Sequence, residues 1–208
     1  MKKVLLIAVG LIVGTSVIAQ EDGGGAKFFV GGNALYGTDN VKDGASYSNY
    51  EFGPTFAYML NEKMGVGINL SFTGDTWKQN NDVNNEVKNS GYNISPFFRY
   101  YFAGAGNFKF YGDVNVAFGG GKELTTEDNT NDKESKYSSF GFGINPGAQY
   151  WFTDNWSMAA EIGMLDYVSR TDKKGEVNGA GESMEEVTNQ FDIGGVFNSL
   201  NLSLFYHF

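Results

Sequence analysis

The end of the chain, residues 200–208, alternates between apolar and other side chains and closes on the aromatic residue Phe208. The same template occurs three more times, at residues 52–60, 94–102 and 144–152, each with a tyrosine two positions before its last apolar residue. A period of two residues is typical of a β-strand with one apolar face. Because a turn-like segment or the chain end follows each copy, the pattern predicts four hairpins and therefore about eight strands.

The connections between these strands alternate between short and long. Short turns are predicted at residues 61–63, 103–107 and 153–155, and long polar loops at 38–46, 75–90, 120–138 and 169–190. The strands between them are expected to be ~9–11 residues long, the length that a tilted strand needs to cross a membrane. Short turns at one end and long loops at the other are the arrangement of an outer-membrane barrel.

The amino-terminal segment has the pattern of a secretory signal peptide. Lys2 and Lys3 precede an apolar run at residues 4–14 and a small-residue site at 17–19. These features predict a signal peptide at residues 1–19, cleaved before Gln20, and a barrel domain at residues 20–208. An uncleaved anchor is the alternative, but the run is shorter than the ~20 residues that a spanning helix needs.

The amino-acid composition argues against several classes of function. The formal net charge is −9 and becomes more negative once Lys2 and Lys3 are removed, which argues against nucleic acid as a partner. The chain has no cysteine, so it offers no disulfide, thiolate nucleophile or cysteine-ligated metal. An exported chain without a long apolar run in its mature part is either a soluble β protein or an outer-membrane barrel.

A soluble barrel would also alternate apolar and polar side chains, with the apolar face in its core. Three features favour the membrane: the strand length, the terminal Phe208, and aromatic residues that cluster at the short-turn ends as an interfacial girdle would. The predicted girdle consists of Tyr58, Tyr100, Phe102, Tyr150, Phe152 and Trp156. The predicted fold class is therefore all-β, a transmembrane eight-stranded antiparallel up-and-down β-barrel.

The repeated apolar-x-Pro-x-apolar-x-Tyr-x-apolar strands, the short turns and the terminal residues 204–208 (LFYHF) resemble the small eight-stranded outer-membrane β-barrel family, of OmpA-barrel and OmpX type. The resemblance implies localisation in the cell outer membrane and insertion by the barrel-assembly machinery. That machinery reads the last strand, which makes Tyr206 and Phe208 the expected assembly signal. The resemblance includes no peptidoglycan-binding domain.

Three prolines sit in the middle of predicted strands. Pro54, Pro96 and Pro146 each remove a ladder hydrogen bond in a barrel that has no edge strand to accommodate them. Their shared position, six residues before the end of each repeated strand, predicts a recurrent β-bulge or kink.

Charged residues on the inward face are the most informative for function. The predicted lumen network consists of Glu51, Arg99, Lys109, Asp113 and Glu161. Side chains fill the interior of an eight-stranded barrel, so these charges should pair, with Arg99 in diagonal reach of Asp113. The network is either the gate of a narrow pore or, as we favour, a structural set of ion pairs that plugs the lumen.

The residues of the sequence give little support for an enzymatic function. The single histidine, His207, lies at the short-turn end and is interpreted as a lumen or interface side chain. Residues 128–132 resemble the start of a calcium loop, but Lys133 stands where that loop needs glycine, so a solvated loop is expected. We expect no catalytic, cofactor or metal site.

These observations predict a non-enzymatic outer-membrane protein with a structural or surface-interaction role, which supports the envelope and displays polar extracellular loops. A narrow porin-like channel for small solutes is the alternative, and a lipid-modifying enzyme is a distant one. The expected partners are outer-membrane lipid and lipopolysaccharide, the barrel-assembly machinery through the last strand, and an extracellular ligand of the loops.

Overall fold

A computed structural model describes residues 27–41, 44–79, 85–127, 133–174, 184–193 and 200–208. The predicted signal peptide and the calcium-like segment 128–132 lie outside these residues. The described ranges contain ten strands: β1 (Phe28–Asn40), β2 (Ser46–Met59), β3 (Met64–Lys78), β4 (Asn85–Ala105), β5 (Phe108–Glu127), β6 (Lys133–Trp151), β7 (Trp156–Glu161), β8 (Leu165–Lys174), β9 (Met184–Ile193) and β10 (Asn201–His207). Within the described residues, no helix is long and apolar enough to cross a membrane.

The strands close into one barrel. Each pairs antiparallel with its neighbours, β1 pairs with β10, and β5 pairs with β6. Both β7 and β8 run along β6, while β10 pairs with β7 and β9 pairs with β8. The ten segments therefore occupy eight positions, and the predicted eight-stranded antiparallel barrel is confirmed.

The seventh position is interrupted between β7 and β8. The amide of Ile162 donates to the carbonyl of Pro146 (3.1 Å), and that of Met164 donates to Ile144 (3.1 Å), so the path stays attached to β6. Glu161 faces Gly147 and Leu165 faces Ile144, which leaves one extra residue on this strand. The interruption is thus a bulge opposite Pro146.

The two faces of the wall decide between a soluble and a membrane barrel. Large apolar side chains such as Phe56, Phe72 and Phe118 are exposed on the outside, whereas Arg99 and Asp113 are buried inside. A soluble barrel would place its apolar face inward, and monomeric proteins rarely expose a continuous apolar surface. The arrangement is that of a barrel in lipid.

Several strands are longer than predicted. β3 and β4 extend into the segment 75–90, β5 and β6 into 120–138, and β8 and β9 into 169–190, so the prediction of loops throughout these segments is wrong. β4 alone has 21 residues, about twice the ~9–11 that a membrane strand needs. Pairing continues because each strand satisfies the backbone of its neighbour even where both faces are polar. The wall therefore stands beyond the apolar band at one end.

The short turns lie together at the opposite end of the barrel. The side-chain oxygen of Asn61 accepts the amides of Lys63 and Met64 (both 2.9 Å), and Thr153 Oγ1 accepts the amide of Trp156 (3.0 Å). Gly106 supplies the positive φ (56°) of the β4–β5 turn. The three predicted short turns are therefore found.

The predicted bulges at Pro54 and Pro96 are wrong. On one flank the pairing runs through each proline, with Gly32 opposite Pro54 and Ile68 opposite Pro96. On the other flank the ladder skips the proline without a change of register: Phe52 faces Phe72 and Thr55 faces Asn69 around Pro54, and Ile94 faces Phe118 and Phe97 faces Asn115 around Pro96. A missing amide costs a hydrogen bond there but inserts no residue. Pro146 also keeps its register with β5, and the extra residue lies in the strand facing it.

Candidate functional site

A buried ion pair crosses the β4–β5 hairpin inside the barrel. Arg99 Nε donates to Asp113 Oδ1 (2.8 Å) and Arg99 Nη2 to Asp113 Oδ2 (2.7 Å), and each side chain is 3% exposed. The two residues are direct partners in the ladder, not diagonal neighbours as predicted. The register shifts by one between Tyr101 and Ala103, which brings Asp113 opposite Arg99.

Aromatic rings enclose the Arg99 guanidinium. Its Cζ lies 3.7 Å from the centroid of Tyr111, and the rings of Phe97, Phe29 and Phe205 lie at 5.5, 5.6 and 5.9 Å. A cation is attracted to aromatic faces, and more strongly where water is excluded. The third charge, Glu161, is 3.8 Å from Arg99 Nη2 and accepts the hydroxyl of Tyr111 (3.3 Å).

A chain of hydrogen bonds through uncharged side chains continues from Arg99 across the lumen. Gln149 Oε1 accepts the hydroxyl of Tyr101 (2.6 Å) and Arg99 Nη1 (3.4 Å), while Gln149 Nε2 donates to Ser157 Oγ (2.6 Å). Ser157 Oγ lies 2.7 Å from His207 Nε2, and both Gln149 and Ser157 are fully buried. Since Ser157 accepts from Gln149, it can give its own proton to His207, which makes Nε2 the acceptor nitrogen.

We call these eight residues the lumen cluster: Tyr101, Arg99, Tyr111, Asp113, Gln149, Ser157, Glu161 and His207. They come from β4, β5, β6, β7 and β10, so opposite sides of the wall meet in the middle. At the short-turn end lies an open vestibule of about 650 Å³, lined among others by Lys109 and His207. A chamber of about 110 Å³, lined among others by Glu51, Arg99 and Glu161, lies on the other side.

The structure unites three of the five predicted lumen charges. Arg99, Asp113 and Glu161 lie together, whereas Glu51 accepts a hydrogen bond from Asn33 (2.9 Å) apart from the cluster. The ammonium of Lys109 lies over the rings of Trp151 (5.0 Å) and Tyr101 (5.6 Å), and among the described residues it pairs with no carboxylate.

The predicted site does not include the uncharged side chains of the lumen cluster, such as Gln149 and Ser157. Gln149 and Ser157 occupy inward positions in strands whose side chains alternate between the two faces. That alternation is the sequence signal that could have identified them. That signal is shared by every inward residue, so it does not single them out. His207 lies in the lumen and is 5% exposed.

The aromatic residues predicted as a girdle lie at the short-turn end on the outer face. Tyr58, Tyr100, Phe102 and Phe152 are exposed, and Tyr150 and Trp156 are partly exposed. Ring contacts join Tyr150 to Phe108 (4.6 Å) and Trp156 to Tyr206 (5.0 Å). Tyr206 also contacts Phe208 (4.9 Å), so both residues of the predicted assembly signal belong to this belt.

Comparison with known proteins gives a family match and several similar structures. The family model described as "Outer membrane protein beta-barrel domain" matches residues 5–208. The outer membrane protein OprG from Pseudomonas aeruginosa is 17% identical with a TM-score of 0.52, over 89% of this chain and 98% of that one. Neisserial surface protein A (NspA) is 17% identical with a TM-score of 0.39, over 87% and 97%. A search of curated protein sequences finds no match.

Proposed function

Since this chain belongs to the outer membrane protein β-barrel domain family, we propose that it is a non-conducting, non-enzymatic barrel of the outer membrane with a structural and surface-display role. The observation that carries the proposal is the buried Arg99–Asp113 pair in the middle of the lumen, with each side chain 3% exposed. A water path through the lumen would have to separate Arg99 from Asp113. A charged side chain that stays buried without its partner strongly destabilises the folded protein.

The rest of the lumen cluster supports a sealed interior. Gln149 contacts polar side chains of three other strands: Arg99 and Tyr101 of β4, Ser157 of β7, and His207 of β10 (3.3 Å). Tyr111 packs against Arg99 and donates to Glu161. Side chains can fill an eight-stranded barrel completely. The vestibule and the chamber then remain two separate spaces.

Ser157 and His207 form the pair that a hydrolase would need, yet their surroundings favour a structural role. Ser157 is 0% exposed, and its oxygen already accepts a hydrogen bond from Gln149. A nucleophile must reach its substrate, and this one has no open side. The polar wall that stands beyond the apolar band is the surface we assign to display.

We expect the refolded protein to give no steady conductance in a planar bilayer. The double variant Arg99→Ala/Asp113→Ala is expected to leak, because it removes the ion pair between vestibule and chamber without leaving either member of the pair buried alone. Single-channel recording measures the conductance of the native protein and of the double variant. Glu51→Gln changes a lumen charge outside the cluster and is the matched control, expected to stay silent. Steady conductance of the native protein would contradict the sealed lumen and favour a narrow channel.

We propose further that the last strand directs assembly through Tyr206 and Phe208. We expect Tyr206→Ala/Phe208→Ala to reduce recovery of the protein in outer-membrane fractions several-fold. The control Tyr58→Ala/Tyr100→Ala removes two aromatics from the same belt but leaves the last strand intact. Equal recovery of the two double variants would assign the aromatics to the membrane interface alone.

A further inference from the structure

The outer face of the wall changes from apolar to basic beyond the membrane band. Five lysines share this face with the exposed aromatics of the same strands: Lys78, Lys88, Lys122, Lys136 and Lys173. Strand residues alternate between faces, so the carboxylates of Asp75, Glu123 and Asp172 point to the interior instead. An acidic chain therefore presents a lysine-rich outer surface at this level.

Two groups of lysines each share a single carboxylate. Glu86 lies between Lys78 (3.6 Å) and Lys88, and Glu134 lies between Lys136 (3.2 Å) and Lys122 (3.9 Å). Each triad carries one more positive than negative charge. The four lysines of the two triads are therefore only partly neutralised, whereas Lys173 pairs with Glu185 (2.9 Å).

A groove of about 350 Å³ lies beside both triads and is lined by Lys88 of the first and Lys122 of the second. Ser90, Tyr36 and Tyr50 also line it, together with Ser48, Asn49, Gly74, Asp75, Thr76, Asn89 and Leu124. The ring of Tyr50 covers Gly74, where a Cβ would lie only 2.4 Å from the tyrosine Cε1. The absence of a side chain at Gly74 is thus what gives the ring its place beside the groove.

The groove stands at headgroup depth. Phe118 and Phe140 contact each other (5.4 Å) in the apolar band, and Lys122 follows Phe118 by four residues on the same face. At ~3.4 Å per residue and a tilt of ~40°, four residues rise about 10 Å. Lysines at this height meet the lipid headgroups, not the acyl chains.

We propose that this groove binds the phosphorylated sugar headgroup of an outer-leaflet glycolipid. The ammonium groups of Lys88 and Lys122 hold a phosphate, as lysine does as a point charge, and the hydroxyl of Ser90 adds a hydrogen bond. Tyr36 and Tyr50 offer aromatic faces and hydroxyls to the sugar. The inference rests on the proposed outer-membrane placement, with the short turns on the periplasmic side.

The test uses the refolded full barrel in detergent with diphosphorylated lipid A as the probe, and native mass spectrometry to measure bound lipid. We expect Lys88→Gln/Lys122→Gln to weaken binding about 30-fold, from roughly fivefold per lysine near an anionic headgroup. The control Lys27→Gln/Lys63→Gln removes the same charge at the short-turn end and is expected to bind like the native protein. Dephosphorylated lipid A is expected to bind the native protein as weakly as the phosphorylated lipid binds the groove variant.

Equal affinity of native protein and groove variant would overturn the proposal, as would equal affinity for the phosphorylated and dephosphorylated lipids. A similar loss in the control variant would also overturn it, since the effect would then follow net charge and not the groove. The sealed lumen is tested separately by conductance. A silent barrel that ignores lipid A overturns only the groove, whereas a conducting barrel that binds it through Lys88 and Lys122 overturns only the sealed lumen.

Discussion

Replacement of Arg99 by methionine is expected to lower the free energy of unfolding by about 3–5 kcal/mol, the usual range when one partner of a buried ion pair is removed. Methionine keeps much of the side-chain volume among the four rings, so the loss comes chiefly from charge. Asp113 would stay 3% exposed without its two hydrogen bonds, and Glu161 would lose the cation 3.8 Å away. Urea titration of the refolded barrel, followed by heat-dependent gel mobility and tryptophan fluorescence, measures the change.

The double variant Arg99→Met/Asp113→Leu separates charge from packing. A buried pair replaced by apolar residues of similar volume is often neutral in stability, so this variant is expected to be closer to the native protein than Arg99→Met alone. Arg99→Lys keeps the charge but loses the two-pronged geometry, and an intermediate loss is expected. A loss under ~0.5 kcal/mol for Arg99→Met, the range of ordinary surface substitutions, would show that the pair does not hold the lumen together.

The Arg99–Asp113 pair of the lumen cluster could be predicted because it is local. Arg99 and Asp113 are 14 residues apart across one short turn, so hairpin geometry brings them near each other once the strands are assigned. Gln149 and His207 are 58 residues apart and meet only across the closed barrel. No period or spacing encodes that contact, and a neutral amide has no charge to mark it as one of a pair.

The strand positions were predictable only in part, because the sequence pattern that marks a strand depends on contact with lipid. Within the apolar band, lipid on one side forces every second residue to be apolar, and the pattern is visible. Beyond the band polar and charged side chains occupy both faces, as Lys122 and Glu123 do in β5, and the alternation disappears while the backbone pairing continues. The sequence alone does not show whether the apolar face of each strand points outward, since a soluble barrel has the same two-residue period with its apolar face inward.

The closing seam between β1 and β10 is the place where the smallest substitution is expected to have the largest effect. Gly31 faces Phe205 in the four-residue pairing that joins the two ends of the barrel. A Cβ at Gly31 would lie 2.0 Å from the carbonyl oxygen of Leu204 and 2.8 Å from Phe205 Cα. Both atoms are backbone, so no rotamer change relieves the clash, and Gly31→Ala must move one strand away from the other.

A displaced seam leaves amides and carbonyls facing lipid, where each unsatisfied group costs several kcal/mol. We therefore expect the folded fraction of Gly31→Ala, measured by heat-dependent gel mobility after refolding in lipid vesicles, to fall close to zero. Gly112→Ala adds the same methyl group to β5, where nothing lies within 4 Å of the new Cβ, and it should refold like the native protein. If the two variants refold equally well, the seam tolerates displacement and the barrel does not depend on close approach at Gly31. If only Gly31→Ala fails, closure depends on a strand contact that glycine alone permits.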